Sequence, residues 1–146
     1  MNELIKETRH FGIVVSNLDK SLKFYHDLLG LKILKTMDES GKYIDNMLSL
    51  ENVQVKTVKL ESVNGTTLIE LLEYKSPTST TIDKQIFDIG ASHVAFTVNS
   101  LDECYSLLSN SGVKFNSPPQ ISPDKKAKVA FCFDPDNTPI ELVEAL

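Results

Sequence analysis

TLIELLEY (residues 67–74) returns later in the chain as TPIELVEA (residues 138–145). The two segments agree at five of eight positions, and each places a glutamate, Glu70 or Glu141, inside an apolar run. The alternation of side chains with a period of two predicts a β-strand in both segments. An ionised carboxylate on an apolar sheet costs free energy unless a partner compensates it, so the repeated glutamates indicate a shared purpose.

The two strands belong to a longer repeat. RHFGIVVSNLDKSLKFYHDLLGLKI, from residue 9, aligns with SHVAFTVNSLDECYSLLSNSGVKF, from residue 92, at an offset of 83 residues. Each copy begins with a β-branched, apolar strand and continues with apolar residues at helical spacing, which a glycine ends. Three further strands complete each copy, so the predicted order is βαβββ, twice, in an α+β protein.

The polar segment KSPTSTTIDKQ separates the copies. We therefore predict one domain over residues 1–146, with module one at 8–75, a linker at 76–90 and module two at 91–146. Residues 38–52 are expected to form a polar connection with a short helix, and residues 117–126 a loop. Asn64-Gly65 is a hairpin-turn signal between two strands of module one.

Four residues do not suit a core. His10 and His93 occupy equivalent places in the first strand of each copy, as Glu70 and Glu141 do in the last strand. A single histidine or glutamate on a strand ordinarily has its hydrogen bonds satisfied within the protein or is exposed to solvent. Taken together, two imidazoles and two carboxylates match the ligand types that bind Zn, Ni, Co, Fe or Mn.

An octahedral ion with four protein ligands keeps two positions for substrate, as catalysis requires. The third histidine, His26, has no counterpart in copy two, and we predict that it is exposed on the first helix. Glu73 and Glu144 also repeat, but on the opposite strand face, where we expect solvated rim residues.

Composition excludes several classes of function. The chain of 146 residues is 41% apolar and carries a net charge of −5, which argues against nucleic acid or an anionic membrane as the main partner. No apolar run approaches the ~18 residues of a membrane span, and no signal peptide is recognisable. Cys104 and Cys132 lack zinc-like spacing, so we expect reduced thiols and a cytoplasmic protein.

The sequence resembles the vicinal oxygen chelate superfamily, the glyoxalase/bleomycin-resistance/dioxygenase fold. The resemblance spans nearly the whole chain and rests on four motifs: HFGIVVSNLDKSLKFYHDLLGLKIL, LIELLEY, SHVAFTV and DPDNTPIELVE. It implies two βαβββ modules that form a cupped mixed sheet around one divalent metal ion. It also implies that the metal ligands are His10, Glu70, His93 and Glu141.

The full His-Glu-His-Glu set looks like that of glyoxalase I and is similar to that of methylmalonyl-CoA epimerase. The resemblance implies a metal-dependent lyase or isomerase that moves a proton next to a carbonyl, with a 2-oxo adduct or an acyl-CoA thioester as substrate. Glu141 is the first candidate base and Glu70 the second. A homodimer is expected, as is common in the superfamily.

Three other functions remain open from the same resemblance. A bleomycin-resistance-like protein would hold a small molecule without chemistry and would not need these ligands. An extradiol-type dioxygenase would use iron with three ligands, and an antibiotic-resistance thiol transferase would also leave Glu70 surplus. Glyoxalase I carries an arginine and an asparagine for glutathione where this chain has Val14 and Tyr74.

Overall fold

Each repeat of the sequence forms its own four-stranded mixed sheet, and the strands have the same relative order in both. The computed structural model describes residues 2–146. The chain divides into two compact units, the first ending at Thr81 and the second spanning Ile82–Leu146. Residues 77–93 contain turns but neither helix nor strand. No helix in the described part is long and apolar enough to cross a membrane.

The first unit has the sheet order β1-β4-β3-β2, in which β1 runs parallel to β4 and the other neighbours are antiparallel. Its elements are β1 (His10–Val14), α1 (Leu18–Leu22) continued by a π-helical segment (Lys23–Leu28), β2 (Lys32–Ser40), α2 (Lys42–Leu48), β3 (Gln54–Glu61) and β4 (Leu68–Ser76).

The second unit repeats this arrangement with the order β5-β8-β7-β6, in which β5 runs parallel to β8. Its elements are β5 (Val94–Thr97), α3 (Leu101–Asn110), β6 (Gln120–Ile121), β7 (Ala127–Phe133) and β8 (Pro139–Ala145). The predicted α+β class and the doubled βαβββ order are confirmed.

Alternation along β4 and β8 separates a helix-facing side from an open side. Ile69 and Leu71 are buried on one face of β4, and Ile140 and Leu142 are buried on the same face of β8. Helix α1 lies against β4, and α3 lies against β7 and β8. The glutamates at the intervening positions therefore face away from the helices, as the period of two predicts.

The first helix differs from the regular helix that the sequence predicts. Asn17 caps it by accepting the amide of Lys20, but the second half is π-helical, with the Leu29 amide donating to the carbonyl of Phe24. Gly30 ends the helix at a φ of +78°, in the left-handed region that glycine adopts without a steric cost.

Two connections carry regular structure. The short helix predicted within 38–52 is present at Lys42–Leu48, and strand β2 extends into this connection as far as Ser40. In the second unit the predicted loop at 117–126 contains the two-residue strand β6. This short strand and the single bridge of Phe115 to Cys132 replace the longer second strand of the first unit.

Glu144 is not the solvated rim residue that its position suggests. Its side chain is only 20% exposed, and its Oε2 accepts the amide of Leu101 at 2.8 Å, at the first residue of α3. Lys128 reaches the same place, with Nζ 2.7 Å from Asp102 and 4.0 Å from Glu144. The prediction was wrong because pairing in the sheet brings the strand end under the helix N-terminus, where a carboxylate binds free amides. Glu73 is also largely covered, with its side chain 15% exposed.

We predict that Glu144→Ala lowers the free energy of unfolding by about 1–3 kcal/mol, because the amide of Leu101 at the start of α3 loses its charged acceptor. Urea titration followed by circular dichroism measures the change. The control is Glu103→Ala, since that carboxylate lies in the first turn of the same helix. Equal losses in the two variants would contradict the contact.

Both cysteines are free thiols, as predicted. Cys132 lies in β7 with no exposed surface, and burial raises the pKa of its thiol from 9.0 to about 12. Burial, with Glu103 and Glu144 nearby, also raises the pKa of Cys104. A raised pKa keeps a thiol protonated, and only the thiolate is nucleophilic.

We therefore expect iodoacetamide at pH 8 to leave Cys132 unmodified in the folded protein, where the thiolate fraction is lower by about a thousandfold than in the unfolded chain. Peptide mass spectrometry before and after denaturation measures the labelling. Rapid modification of Cys132 without denaturant would contradict its burial.

Candidate functional site

His10 and Glu70 come together through the parallel pairing of β1 with β4. The register places His10 beside Leu68 and Gly12 beside Glu70. His10 Nε2 lies 3.7 Å from Glu70 Oε2, and the two side chains are 35% and 14% exposed. This separation is longer than a hydrogen bond, so the two atoms do not bond directly to each other.

His93 and Glu141 form the matching pair in the second unit. Val94 pairs with Ile140, so His93 lies one residue before the start of β5 rather than within the predicted strand. His93 Nε2 lies 3.1 Å from Glu141 Oε2, within hydrogen-bond distance. The imidazole also meets the ring of Phe131 edge-to-face, with the ring centroids 5.0 Å apart.

A small residue stands beside each glutamate on the neighbouring parallel strand. Gly12 pairs with Glu70, and Ala95 pairs with Glu141. Directly paired residues point to the same face, so a large side chain at either position would crowd the carboxylate. Both glutamates are thus reachable from the open side of their sheet.

The other neighbour of each glutamate differs between the units. Lys59 of β3 pairs with Glu70, whereas Phe131 of β7 pairs with Glu141. Lys59 Nζ lies 3.9 Å from Glu70 Oε2, and its side chain is 28% exposed. One carboxylate therefore has a cationic neighbour, and the other has an aromatic one.

Sequence reasoning missed Lys59, although a signal was present. A two-residue turn at Asn64-Gly65 pairs Val63 with Thr66, and counting back along both strands sets Lys59 opposite Glu70. The observed register has this pairing. Phe131 does not follow in the same way. A four-residue turn at Asp134–Asn137 would pair Phe133 with Thr138, whereas the observed register pairs Phe133 with Pro139 and Phe131 with Glu141.

Of the four predicted metal ligands, the structure brings His10 to Glu70 and His93 to Glu141. Within residues 2–146 it forms no group of three or more His, Cys, Asp or Glu side chains suited to a metal ion. Each pair offers one imidazole nitrogen and one carboxylate oxygen, the donors that Zn, Ni, Co, Mn and Fe accept. The donor chemistry fits a divalent ion, and the complete four-ligand site stays a prediction.

His26 lies apart from both pairs. Its Nδ1 is 2.7 Å from the carbonyl of Leu31, and its side chain is 44% exposed. The prediction that this histidine is exposed is confirmed.

Comparison with known proteins matches residues 8–142 to the model of the Glyoxalase/Bleomycin resistance protein/Dioxygenase superfamily. The chain belongs to this superfamily. A glyoxalase family protein from Bacillus cereus has the same fold at a TM-score of 0.87 and 22% identity, covering 99% of this chain and 97% of that one.

Two relatives in the superfamily are each 31% identical to this chain but differ in how much of their own length it covers. The uncharacterised protein YwkD of Bacillus subtilis is 31% identical over 144 residues, which are 97% of this chain and 98% of that protein. A lactoylglutathione lyase of Schizosaccharomyces pombe is 31% identical over 140 residues, 92% of this chain but only 46% of that enzyme. One relative is thus matched over its whole length but has no described activity, and the other has a named activity but is matched over less than half of its length.

Proposed function

We propose that this protein is a divalent-metal-dependent lyase or isomerase that moves a proton on a carbon next to a carbonyl. The observation that carries the proposal is the repeated His–Glu pair, at the same place in both units. A protein that only held a small molecule would have no need of two such pairs. The relationship to a lactoylglutathione lyase supports the same class of reaction.

We propose that His10, Glu70, His93 and Glu141 hold the metal. A divalent ion held by these residues would supply Lewis acidity toward the carbonyl oxygen of a substrate. Two carboxylates with two imidazoles favour this redox-neutral chemistry over oxygen activation. The donors suit Zn, Ni, Co, Mn or Fe and do not distinguish among them.

Glu141 is the residue that we assign to proton transfer. Its Oε2 is hydrogen-bonded to His93, and within residues 2–146 no hydrogen bond reaches its Oε1. The small residue Ala95 pairs with Glu141 on the neighbouring strand. Glu70 is the second candidate, but Lys59 and His10 both lie beside its Oε2.

The substrate that we propose is a 2-oxo compound, free or as an adduct, or an acyl thioester. Val14 lies on the His10 face of β1 and is 55% exposed, and Tyr74 packs against the apolar cluster of Ile44, Val53 and Val55. These apolar side chains occupy the positions where glyoxalase I has groups for glutathione. We therefore assign no glutathione subsite.

We also expect the protein to form a homodimer and to be located in the cytoplasm.

The first test is the metal content of the purified protein by mass spectrometry. We expect about one divalent ion per chain in the wild type and loss of most of it in His10→Ala and in His93→Ala, since each variant removes one of four ligands. Both imidazoles are more than one-third exposed, so these variants should fold.

The matched control is His26→Asn, which changes the remaining histidine and keeps a group able to bond the Leu31 carbonyl. It should retain its metal. A wild type that binds no ion, even after incubation with each candidate, would overturn the enzyme proposal and favour a binding protein of the bleomycin-resistance type. Activity that requires ferrous iron and oxygen would favour a dioxygenase.

Glu141→Gln tests the proton-transfer role. We expect it to keep the fold and much of the metal while proton exchange next to the substrate carbonyl slows by about a hundredfold or more, because the amide is not a base. The rate is measured by NMR as the uptake of deuterium from D2O into a series of candidate substrates, namely 2-oxo compounds and acyl thioesters. Glu103→Gln is the charge-matched control, and an unchanged rate in Glu141→Gln would remove this residue from the mechanism.

A further inference from the structure

Lys59 holds an unusual position on the open face of the first sheet. It lies on an inner strand, directly opposite Glu70, and its side chain is 28% exposed. Within residues 2–146 its single ion-pair partner is Glu70, at 3.9 Å, which is too long for a hydrogen bond. In the described part of the chain no acceptor therefore lies within hydrogen-bond distance of its three N–H donors, and Lys59 pairs with Glu70 on the side of the sheet that carries His10.

The second unit shows that the fold does not require a cation here. Phe131 occupies the matching place beside Glu141, where it packs against His93. An ammonium group adjacent to a proposed metal ligand also opposes metal binding, since like charges repel. A lysine at this position therefore needs an anionic partner other than Glu70.

We propose that Lys59 binds an anionic oxygen of the substrate, and that the substrate carries a carboxylate next to the reacting carbonyl. This inference rests on the proposed function, whose substrate class it narrows to 2-oxo acids and similar anions. A charge-assisted hydrogen bond from the ammonium orients the carbonyl toward the His10–Glu70 pair. Val14, exposed on the same face, meets the apolar part of such a substrate.

The competing role for Lys59 is that of a counterion that only supports Glu70. The 3.9 Å separation favours the substrate role, because a dedicated counterion closes to hydrogen-bond distance, as Lys128 does with Asp102 at 2.7 Å. Removal of the Lys59 charge would change a different property under each role. The counterion role affects metal retention, and the substrate role affects the preference for anions.

The experiment compares pyruvate with methyl pyruvate, a neutral ester of nearly the same shape, by calorimetric titration of the metal-loaded protein. We expect the wild type to bind pyruvate about tenfold more tightly than the ester. Lys59→Met should bring the two affinities within about twofold, and Lys59→Arg should keep most of the preference. Lys35→Met is the matched control, because Lys35 pairs with Lys59 and lies one strand farther from Glu70.

Metal content of the same samples separates this inference from the proposed function. A wild type without metal would overturn the proposed function. Metal-loaded wild type and Lys59→Met with equal preferences would overturn the inference alone, as would a wild type that binds neither probe. Loss of metal from Lys59→Met, but not from Lys35→Met, would show that Lys59 acts as a counterion of Glu70. This result would also overturn the inference.

Discussion

The parallel pairing of the first strand with the last strand in each unit is the constraint on which the site depends. It brings the side chain of His10 within 3.7 Å of Glu70 and that of His93 within 3.1 Å of Glu141, although 60 and 48 residues separate them along the chain. Main-chain hydrogen bonds set this register, and a slip of one residue would turn each glutamate into the helix layer. The buried isoleucines and leucines on the opposite face make such a slip costly, so the core and the His–Glu pairs depend on one register.

The two units share one strand order but differ in chemistry. Both units set a small residue on one side of the glutamate, but the other neighbour is Lys59 in the first unit and Phe131 in the second. The two glutamates therefore lie in different electrostatic surroundings, one beside a cation and one beside an aromatic ring. A repeated fold thereby supplies two different environments for one type of side chain.

Prediction from sequence succeeded where side-chain period and turn chemistry act locally. The strands around Glu70 and Glu141, the end of the first helix at Gly30, and the orientation of both glutamates followed from pattern alone. It failed for Glu144. The position of Glu144 on its strand predicted a solvated side chain, but the carboxylate accepts the amide of Leu101, the first residue of α3. The residue that satisfies a helix N-terminus lies 43 positions away in the chain, beyond the reach of any local pattern.

The sequence by itself determined the doubled βαβββ order and the two repeated residue types that a metal site would need. These follow from periodicity and from the alignment of one half of the chain with the other, which require no knowledge of distant contacts. Only the tertiary structure decided which side chains surround each glutamate: a loose imidazole contact and a lysine for Glu70, a hydrogen-bonded imidazole and a phenylalanine for Glu141. The physical reason is that each glutamate and its two neighbours come from three different segments of the chain, and their approach depends on pairing between strands rather than on any property of one strand.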